Sequence, residues 1–202
     1  DGKKPDTLRR THRLMLKNCH RLMEVVDAML DVTEIESSTL KLNPSPLDVN
    51  ELIRSVVESL DDIARDRRLE WRVDLEPNLP QIEADPRRLR QVINELLGNA
   101  IKFSTAGSWV AIQRRRRADG IEIEVSNPGD PPGPEIRRSL FEKFFQADAS
   151  TTRSAGGCGL GLYLAQSLVT LHGGRIELLE ETGQTVVFRI SLPLRETARE
   201  AI

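Results

Sequence analysis

Three polar residues of different chemistry, Glu95, Asn99 and Lys102, follow one another within the stretch 91–104. Apolar residues around them recur with helical period, so we expect a helix, and the i, i+4, i+7 spacing places the three polar groups in one row. Asn99 offers a neutral oxygen to a hard cation such as Mg²⁺, Glu95 can orient or deprotonate a neighbouring group, and Lys102 can meet a phosphate. The alternative is an ordinary solvated flank in which Glu95 and Lys102 balance each other's charge.

A second stretch suited to phosphate chemistry runs from Gly156 to Leu162, where the sequence reads GGCGLGL. It lies between a small, polar loop and a predicted helix. Glycines at a helix N-terminus let backbone amides point at an anion, and the helix dipole adds attraction, so a polyphosphate is the expected ligand. The alternative is that these glycines only end the loop. No GK[ST] follows and no strand immediately precedes, which excludes a Walker A loop and a dinucleotide fingerprint.

The composition of the chain excludes several classes of protein. Its 202 residues suffice for one or two domains, and no apolar run reaches the roughly 18 residues of a membrane span. The first residues lack the apolar core of a signal peptide. The net charge of −2 argues against a dedicated nucleic-acid-binding protein. Because Cys19 and Cys158 form no CxxC pair, we expect a reduced, cytoplasmic protein without structural zinc.

The first element predicted to support these residues is a long helix from Asp6 to about Ser37, a stretch without proline or glycine. Its seam has 4-3 spacing, which predicts packing against partner helices in a bundle. The seam positions are Leu8, His12, Met15, Cys19, Leu22, Val26 and Met29. We expect His12 and the neighbouring His20 to be structural, because neither is followed by a carboxylate that would orient a nucleophilic imidazole.

The rest of the chain predicts an α+β fold, a two-layer α/β sandwich in which a mixed sheet is covered on one face by about three helices. The long N-terminal helix of the bundle precedes it. Helices are expected at 49–67, capped by Asp48 or Asn50, and at 86–103, with Asp85 as N-cap and Pro86 as first residue. Further helices are expected at 135–144 and 159–172, and strands at 40–47, 69–75, 82–85, 109–116, 121–126, 175–179 and 186–192.

Several local patterns add predictions about the surface. Asp119-Gly120 is a strong hairpin signal between two strands. The run Arg114 to Arg117 is expected to be a solvated edge that resists strand-to-strand aggregation, with a site for an anionic partner as the alternative. The segment Gln146 to Cys158 is expected to be a mobile loop. His172, directly before Gly173-Gly174, is expected to be a cation placed against the C-terminal dipole of its helix.

Four motifs in order resemble the N, G1, F and G2 boxes of the GHKL ATP-binding fold. They are Glu95-x-x-x-Asn99-Ala-x-Lys102-Phe103, Asn127-x-Gly129, Leu140-Phe-Glu-Lys-Phe-Phe145 and Gly157-x-Gly159-Leu-Gly161-Leu162. Within that superfamily the chain resembles the sensor histidine kinases of two-component signalling. The segment 21–53 is similar to their second dimerisation helix and its connection into the catalytic domain, and 145–165 is similar to their ATP lid. The resemblance covers nearly the whole chain.

The resemblance implies ATP and Mg²⁺ as cofactors and a role for each matching residue. Asn99 would ligate Mg²⁺ with Glu95 beside it, and Lys102 would reach a phosphate. Asn127 would face the adenine amino group with Gly129 beside it. The remaining implied nucleotide contacts, at the base, the lid and the phosphate loop, are Phe103, Phe144, Gly157, Gly159, Leu160, Gly161 and Leu162.

The chain departs from the family pattern at two places. The family more often has aspartate where this chain has Asn127, and commonly a second glycine where it has Pro131. An asparagine oxygen can still accept from an adenine amine, but without charge assistance, so a lower affinity is expected. The other departure is the lack of the family's His-Glu/Asp-Leu-Arg-like phosphoacceptor motif. We therefore expect a fragment whose acceptor lies upstream of Asp1 and which does not phosphorylate itself.

The resulting interpretation is the ATP-binding catalytic region of a sensor histidine kinase. It would transfer the γ-phosphoryl of ATP to a histidine outside the fragment, from which the phosphate passes to an aspartate of a response-regulator receiver domain. Expected regions are 1–38, a partial dimerisation and histidine-phosphotransfer region, 39–194, the GHKL ATP-binding domain, and 195–202, a polar tail. The N-terminal helix would form a homodimer in the full-length protein. No nucleic acid and no membrane contact are expected for the fragment, whether or not its parent is membrane-anchored.

Two alternatives stay open beside the kinase. The first is a degenerate pseudokinase, a nucleotide-binding signalling module that acts through dimerisation and in which Asn127 and Pro131 mark altered nucleotide use. The second is another ATPase of the same superfamily, such as a chaperone or topoisomerase domain. The long N-terminal helix and the short lid match the kinases better.

Overall fold

The computed structural model describes residues 4–146, 158–179 and 184–194. The chain divides into two compact units, residues 1–40 and 41–202. None of the helices in the described ranges is both long and apolar enough to cross a membrane. The predicted mobile loop, except for Gln146 and Cys158, and the predicted polar tail lie outside the described residues.

The first unit contains the helix α1 (Lys4–Glu36), which covers the predicted N-terminal helix. Its end is marked by Ser37, whose backbone N–H donates to Thr33 O at 3.0 Å. Several large apolar side chains of α1 are exposed, including predicted seam positions: Met15, Leu16, Leu22, Met23, Val26, Met29 and Leu30. An exposed apolar row of this kind is typical of a helix that packs against further helices.

The second unit is a mixed sheet with helices. Its helices are α2 (Val49–Asp66), α3 (Pro86–Phe103), α4 (Pro134–Ser139) and α5 (Gly161–Leu171). A small antiparallel sheet pairs β1 (Ser45–Leu47) with β3 (Ile82–Ala84). The main sheet has the order β2-β4-β5-β7-β6, formed by β2 (Glu70–Leu75), β4 (Trp109–Arg117), β5 (Gly120–Pro128), β6 (Arg175–Leu178) and β7 (Thr185–Pro193). Because β2 pairs parallel with β4 and the other pairs are antiparallel, the predicted mixed α+β fold is confirmed.

The core lies between this sheet and the helices α2, α3 and α5. Along β5, Ile121, Ile123 and Val125 are buried and alternate with half-buried polar residues, as expected of a strand with one face on the core. In α3 the buried side chains recur with helical period and include Leu89, Val92, Ile93, Leu96 and Leu97. Since α3 contacts α2, α5, β4 and β5, this helix is the centre of the helical layer.

The predicted caps and helix ends are largely as expected. Asp48 caps α2 by accepting from the backbone N–H of Asn50 at 2.8 Å and of Glu51 at 3.2 Å. Asp85 caps α3, with Pro86 as the first helical residue. After α5, Gly173 adopts φ 77, the left-handed conformation that glycine tolerates at a helix C-terminus.

The prediction that Arg114 to Arg117 form a solvated edge is wrong for Arg114, which is buried where β4 pairs with both β2 and β5. Arg116 and Arg117 are exposed, beyond the last residue of β4 that pairs with β2. Arg114 is 1% exposed and donates to Asn50 Oδ1 at 3.1 Å. Burial lowers the pKa of this guanidinium. Arg115 pairs with Asp74 and Arg117 with Glu122, so these two charges are balanced by neighbours in the sheet.

Two further predictions fail in the helices that follow. The helix expected at 135–144 ends at Ser139, and Phe144 has φ 63, which a right-handed helix excludes. His172 is buried, and both of its ring nitrogens are used: Nδ1 lies 2.8 Å from Leu168 O, and Nε2 accepts from the backbone N–H of Asp85 at 3.0 Å. Because Nε2 is an acceptor, the imidazole is neutral in this arrangement, and the expected cation at the helix end is wrong.

Candidate functional site

The polar row of α3 lies along the margin of the helical layer. Glu95, Asn99 and Lys102 are all half-buried, whereas Leu96 and Leu97 beside them are fully buried in the core. The same helical period therefore fixes the apolar face on the sheet and holds the three polar groups on one flank, partly open to solvent.

The start of α5 lies against this row. Gly161 is the first residue of α5, and a Cβ atom at this position would collide with the carboxylate oxygen Oε2 of Glu95. Leu160, the N-cap residue, is fully buried, and its apolar side chain offers no acceptor to the first amides of the helix. The structure thus brings the polar row and the glycine-rich segment together at a helix N-terminus, where backbone N–H groups attract anions.

A second contact joins the segment after α4 to the same glycine-rich stretch. The backbone N–H of Phe144 donates to Gly159 O at 2.9 Å. Gly159 has φ 72, and a Cβ atom there would lie 2.7 Å from the carbonyl carbon of Phe144. The two backbones are therefore packed too closely for any other residue at position 159. The side chain of Phe144 itself is exposed.

The end of β5 supplies a buried amide group. Asn127 is 4% exposed, and its Nδ2 donates to Pro128 O at 3.0 Å, so the carbonyl oxygen Oδ1 points away from that contact and is an acceptor. Gly129 lies two residues further along the chain, a Cβ atom there would be 3.6 Å from Asn127 Nδ2, and the Gly129 N–H donates to Gln184 O at 3.1 Å. This arrangement suits a ligand that donates a hydrogen bond.

The C-terminal end of α3 carries Lys102 and Phe103. Lys102 Nζ lies 4.8 Å from the centroid of the Phe103 ring, and that ring is 61% exposed. The carbonyl of Lys102 accepts a hydrogen bond from Arg67, a residue that sequence reasoning missed. Arg67 belongs to no motif and is 35 positions away, so no local signal pointed to it.

The opposite end of α3 is fixed by a buried network around Asp85. Its carboxylate accepts from the backbone N–H groups of Asn43 at 2.9 Å, Arg87 at 3.0 Å and Arg88 at 3.1 Å. Burial raises the pKa of Asp85, but these hydrogen bonds stabilise the charged form and the net effect lowers it. The bond from Asp85 N–H to His172 also ties the start of α3 to the end of α5. The sequence predicted Asp85 as the N-cap of α3, but its bonds to Asn43 and His172 were missed.

The predicted site residues thus fall into four contacting groups: Glu95 with Gly161, Phe144 with Gly159, Lys102 with Phe103, and Asn127 with Gly129. Asn99 lies in the same row of α3 as Glu95. Leu160 directly precedes Gly161 in the chain, and Leu162 directly follows it in α5. Gly157 lies outside the described residues.

The donor set fits a magnesium nucleotide. Asn99 and Glu95 offer oxygen atoms, which Mg²⁺ prefers, and Lys102 offers an ammonium group for a phosphate. The missing side chain at Gly161 lets the carboxylate of Glu95 lie against the start of α5, where helix amides attract negative charge.

Comparison with known proteins gives consistent matches. The family described as "Histidine kinase-, DNA gyrase B-, and HSP90-like ATPase" matches residues 84–196. The circadian input-output histidine kinase CikA of Synechococcus elongatus is 34% identical over 174 residues, which are 85% of this chain and 23% of that protein. The sensor-like histidine kinase SenX3 of Mycobacterium tuberculosis is 30% identical over 188 residues, 93% of this chain and 46% of that protein.

A solved structure agrees with these relatives. Full-length ShkA in complex with AMPPNP has a TM-score of 0.78 and 29% identity to this chain, and the match covers 91% of this chain and 38% of ShkA. This chain therefore spans less than half the length of the proteins described here.

Proposed function

Because this chain belongs to the family of histidine kinase-, DNA gyrase B- and HSP90-like ATPases, and its relatives are sensor histidine kinases, we propose that it is the ATP-binding catalytic region of such a kinase. It transfers the γ-phosphoryl of ATP to a histidine outside the chain. The observation that carries the proposal is the contact of Glu95 with Gly161, which joins the polar row of α3 to the anion-attracting start of α5.

In this proposal the α3 row binds the phosphates. Asn99 holds Mg²⁺ through its amide oxygen, Glu95 orients groups beside it, and Lys102 meets a phosphate. A Mg²⁺ ion held there by Asn99 would supply neutralisation of the charge that develops on the phosphates during transfer. The residues of α3 supply positioning and electrostatic stabilisation rather than a nucleophile, as suits phosphoryl transfer to a group on another segment.

The base and the lid complete the proposed site. Asn127 Oδ1 accepts from the adenine amino group, and Gly129 leaves room beside it. The other residues that we assign to nucleotide binding are Phe103, Phe144, Gly157, Gly159, Leu160, Gly161 and Leu162. Support comes from the closeness of Gly159 to Phe144, which joins the segment after α4 to the glycine-rich stretch.

The chain's place in a larger protein follows from the same proposal. Residues 1–38 are part of a dimerisation and histidine-phosphotransfer region, and 39–194 form the ATP-binding domain. The exposed apolar row of α1 supports homodimerisation. The phosphate is passed on to the receiver domain of a response regulator, and the reaction takes place in the cytoplasm, which contains ATP.

A pseudokinase is the second candidate, favoured by one observation. Asn127 is buried and its Nδ2 is engaged with Pro128 O, so it presents a neutral carbonyl where a carboxylate would give a charge-assisted bond to adenine. Weak or absent nucleotide binding is what this candidate predicts.

Titration calorimetry and thermal unfolding with Mg-ATP separate the two candidates. We expect Mg-ATP to bind and to raise the melting temperature of the chain, since a ligand selective for the folded state stabilises it by mass action. Mg²⁺ without nucleotide is the control and should shift the melting temperature far less. Unchanged melting at millimolar Mg-ATP, with no heat of binding, would favour the pseudokinase.

A further inference from the structure

We propose that Arg67 is a positioning residue for the nucleotide site, which holds the last turn of α3 so that Lys102 and Phe103 face the nucleotide. The inference rests on the proposed function, because it assigns a purpose to residues of that same site. Arg67 itself is not assigned to nucleotide contact.

The guanidinium of Arg67 closes the C-terminal end of α3. The last four carbonyls of an α-helix have no partner within the helix. Arg67 Nη1 donates to Lys102 O at 2.8 Å, and Nη2 donates to Ser104 O at 2.9 Å. These two hydrogen bonds from one guanidinium satisfy two carbonyls at once, and they bring a positive charge to the negative end of the helix dipole.

The backbone that carries Arg67 is itself held firmly. Arg67 is the C-cap of α2, and Arg68 after it adopts φ 56. Leu69, which is buried, donates from its N–H to Ala64 O at 2.9 Å, the bond that defines a Schellman ending. The carbonyl of Arg67 accepts from Gly107 N–H at 3.1 Å, in the loop that follows α3. The backbone of Arg67 is therefore held by hydrogen bonds of its own, in addition to those of its guanidinium.

The two site residues are less buried than their neighbours in the chain. Ala100 and Ile101 before them and Ser104 after them are each 3% exposed, and Ser104 Oγ donates to Ala100 O at 2.7 Å. Phe103 is exposed and Lys102 half-buried, and the last turn of a helix frays easily when its carbonyls lack partners. Arg67 supplies such partners for the carbonyls of Lys102 and Ser104. Through Lys102 O it fixes the backbone from which the lysine side chain extends.

The test compares Arg67→Gln with Arg65→Gln. Arg65 lies in the last turn of the same helix, and its exposed guanidinium pairs with Asp61, so the control removes an equal charge nearby. Affinity for Mg-ATP is measured by calorimetry well below the lowest melting temperature, and amide hydrogen exchange is followed in the nucleotide-free chain. We expect Arg67→Gln to weaken Mg-ATP about tenfold and to speed exchange at residues 102–104, and Arg65→Gln to change affinity less than about twofold.

A coupling measurement separates positioning from plain stability. In a chain that already carries Lys102→Ala and Phe103→Ala, Arg67→Gln should cause little further loss of affinity, because its effect passes through those residues. Arg67→Lys keeps the charge but not the planar guanidinium that donates to two carbonyls, and it replaces Arg67→Gln if that variant does not fold. Its affinity for Mg-ATP should lie between those of wild type and Arg67→Gln.

The outcomes are distinct. If wild type binds Mg-ATP and Arg67→Gln melts lower but binds equally well, Arg67 is only structural and the inference is overturned. If Arg67→Gln lowers affinity just as much in the Lys102→Ala, Phe103→Ala chain, the route through those residues is refuted. If wild type itself does not bind Mg-ATP, the proposed function fails, and this inference fails with it.

Discussion

At the N-terminal end of α3, Asp85 is buried and accepts three backbone hydrogen bonds, whereas at the C-terminal end one guanidinium, that of Arg67, holds the carbonyls of Lys102 and Ser104. The first end joins the backbone before β1 and the end of α5 into a buried network. The second ends in a half-buried lysine and an exposed phenylalanine. The helix α3 has 18 residues and is about 27 Å long. Its N-terminal end is fixed by buried contacts that stabilise the fold, and its C-terminal end is accessible to a ligand.

The two ends of α3 show how a rigid helix can carry a ligand site. The buried end is held redundantly, by a carboxylate with three donors and by the His172 contact, so the orientation of the helix does not depend on the ligand. The exposed flank keeps its polar groups only partly buried, so that a ligand can contact them at low desolvation cost. We expect substitutions to separate accordingly: those in the row should change binding, and those at the buried end should change stability.

The largest expected effect is on binding, from Asn99→Ala in the middle of the row. Loss of the amide oxygen should weaken Mg-dependent nucleotide binding by at least about a hundredfold, since Mg²⁺ would lose its protein ligand. The free energy of unfolding should hardly change, because the side chain is half-buried and alanine favours helix. Calorimetry with Mg-ATP and urea unfolding measure the two quantities.

Asn94→Ala is the matched control, since Asn94 is an exposed asparagine of the same helix. It should leave Mg-ATP affinity unchanged. Equal Mg-ATP affinity in Asn99→Ala and wild type would refute the assignment of Asn99 as the metal ligand. The row of Glu95, Asn99 and Lys102 would then have no demonstrated part in nucleotide binding.

The second effect is on stability, from Asp85→Ala at the buried end. The change removes an N-cap and leaves the N–H groups of Asn43, Arg87 and Arg88 without their acceptor, so we expect the free energy of unfolding to fall by about 3 kcal/mol. Urea unfolding measures it. Mg-ATP affinity, measured where the variant is folded, should change little.

Asp48→Ala is the control for capping alone. Asp48 caps α2 through two backbone N–H groups, and its loss should cost about 1 kcal/mol. If Asp85→Ala costs no more than Asp48→Ala, the network around Asp85 adds nothing to an ordinary cap, and the contrast between the two ends of α3 is overstated.

The sequence predicted the parts of this contrast that depend on neighbours along the chain. Asp85-Pro86 is a local capping signal, and the row of Glu95, Asn99 and Lys102 follows from helical period. The mixed sheet and its helical layer could be predicted because each strand and helix has its own pattern of apolar residues. The resemblance to the GHKL family supplied the roles of the site residues, which periodicity alone left open.

What could not be predicted depends on distant pairings. His172 was expected to be a cation because only its own helix was considered, yet its Nε2 meets Asp85, 87 positions away. Arg114 was expected at an edge, but the parallel pairing of β2 with β4 makes β4 an interior strand. Arg67 was missed for the same reason: a guanidinium that caps another helix has no signature near itself in the sequence.

The smallest expected effect is the response of the two ends of α3 to acid. The pKa of Asp85 lies below its ordinary value in the folded chain, so its charged form is stabilised by folding. The contribution is complete above the unfolded pKa of about 3.9 and is lost as pH falls through the folded pKa. At the other end, the acceptors of Arg67 are the backbone carbonyls of Lys102 and Ser104, which do not titrate. Acid should therefore weaken the buried end and spare the exposed one.

Asp85→Asn gives a reference chain that does not titrate at this position. Its single amide oxygen can accept from Arg87 and Arg88, as Oδ1 does in wild type, but the bond from Asn43 to Oδ2 is lost, and this loss does not vary with pH. We expect the melting temperature of wild type to exceed that of Asp85→Asn by a constant margin from pH 7 to about pH 5, and the margin to shrink below about pH 4. Arg67→Gln should differ from wild type by the same margin at every pH in this series. A margin for Asp85→Asn that stays constant to pH 3 would mean that the three backbone donors do not favour the carboxylate, and that the two ends of α3 differ in burial but not in electrostatics.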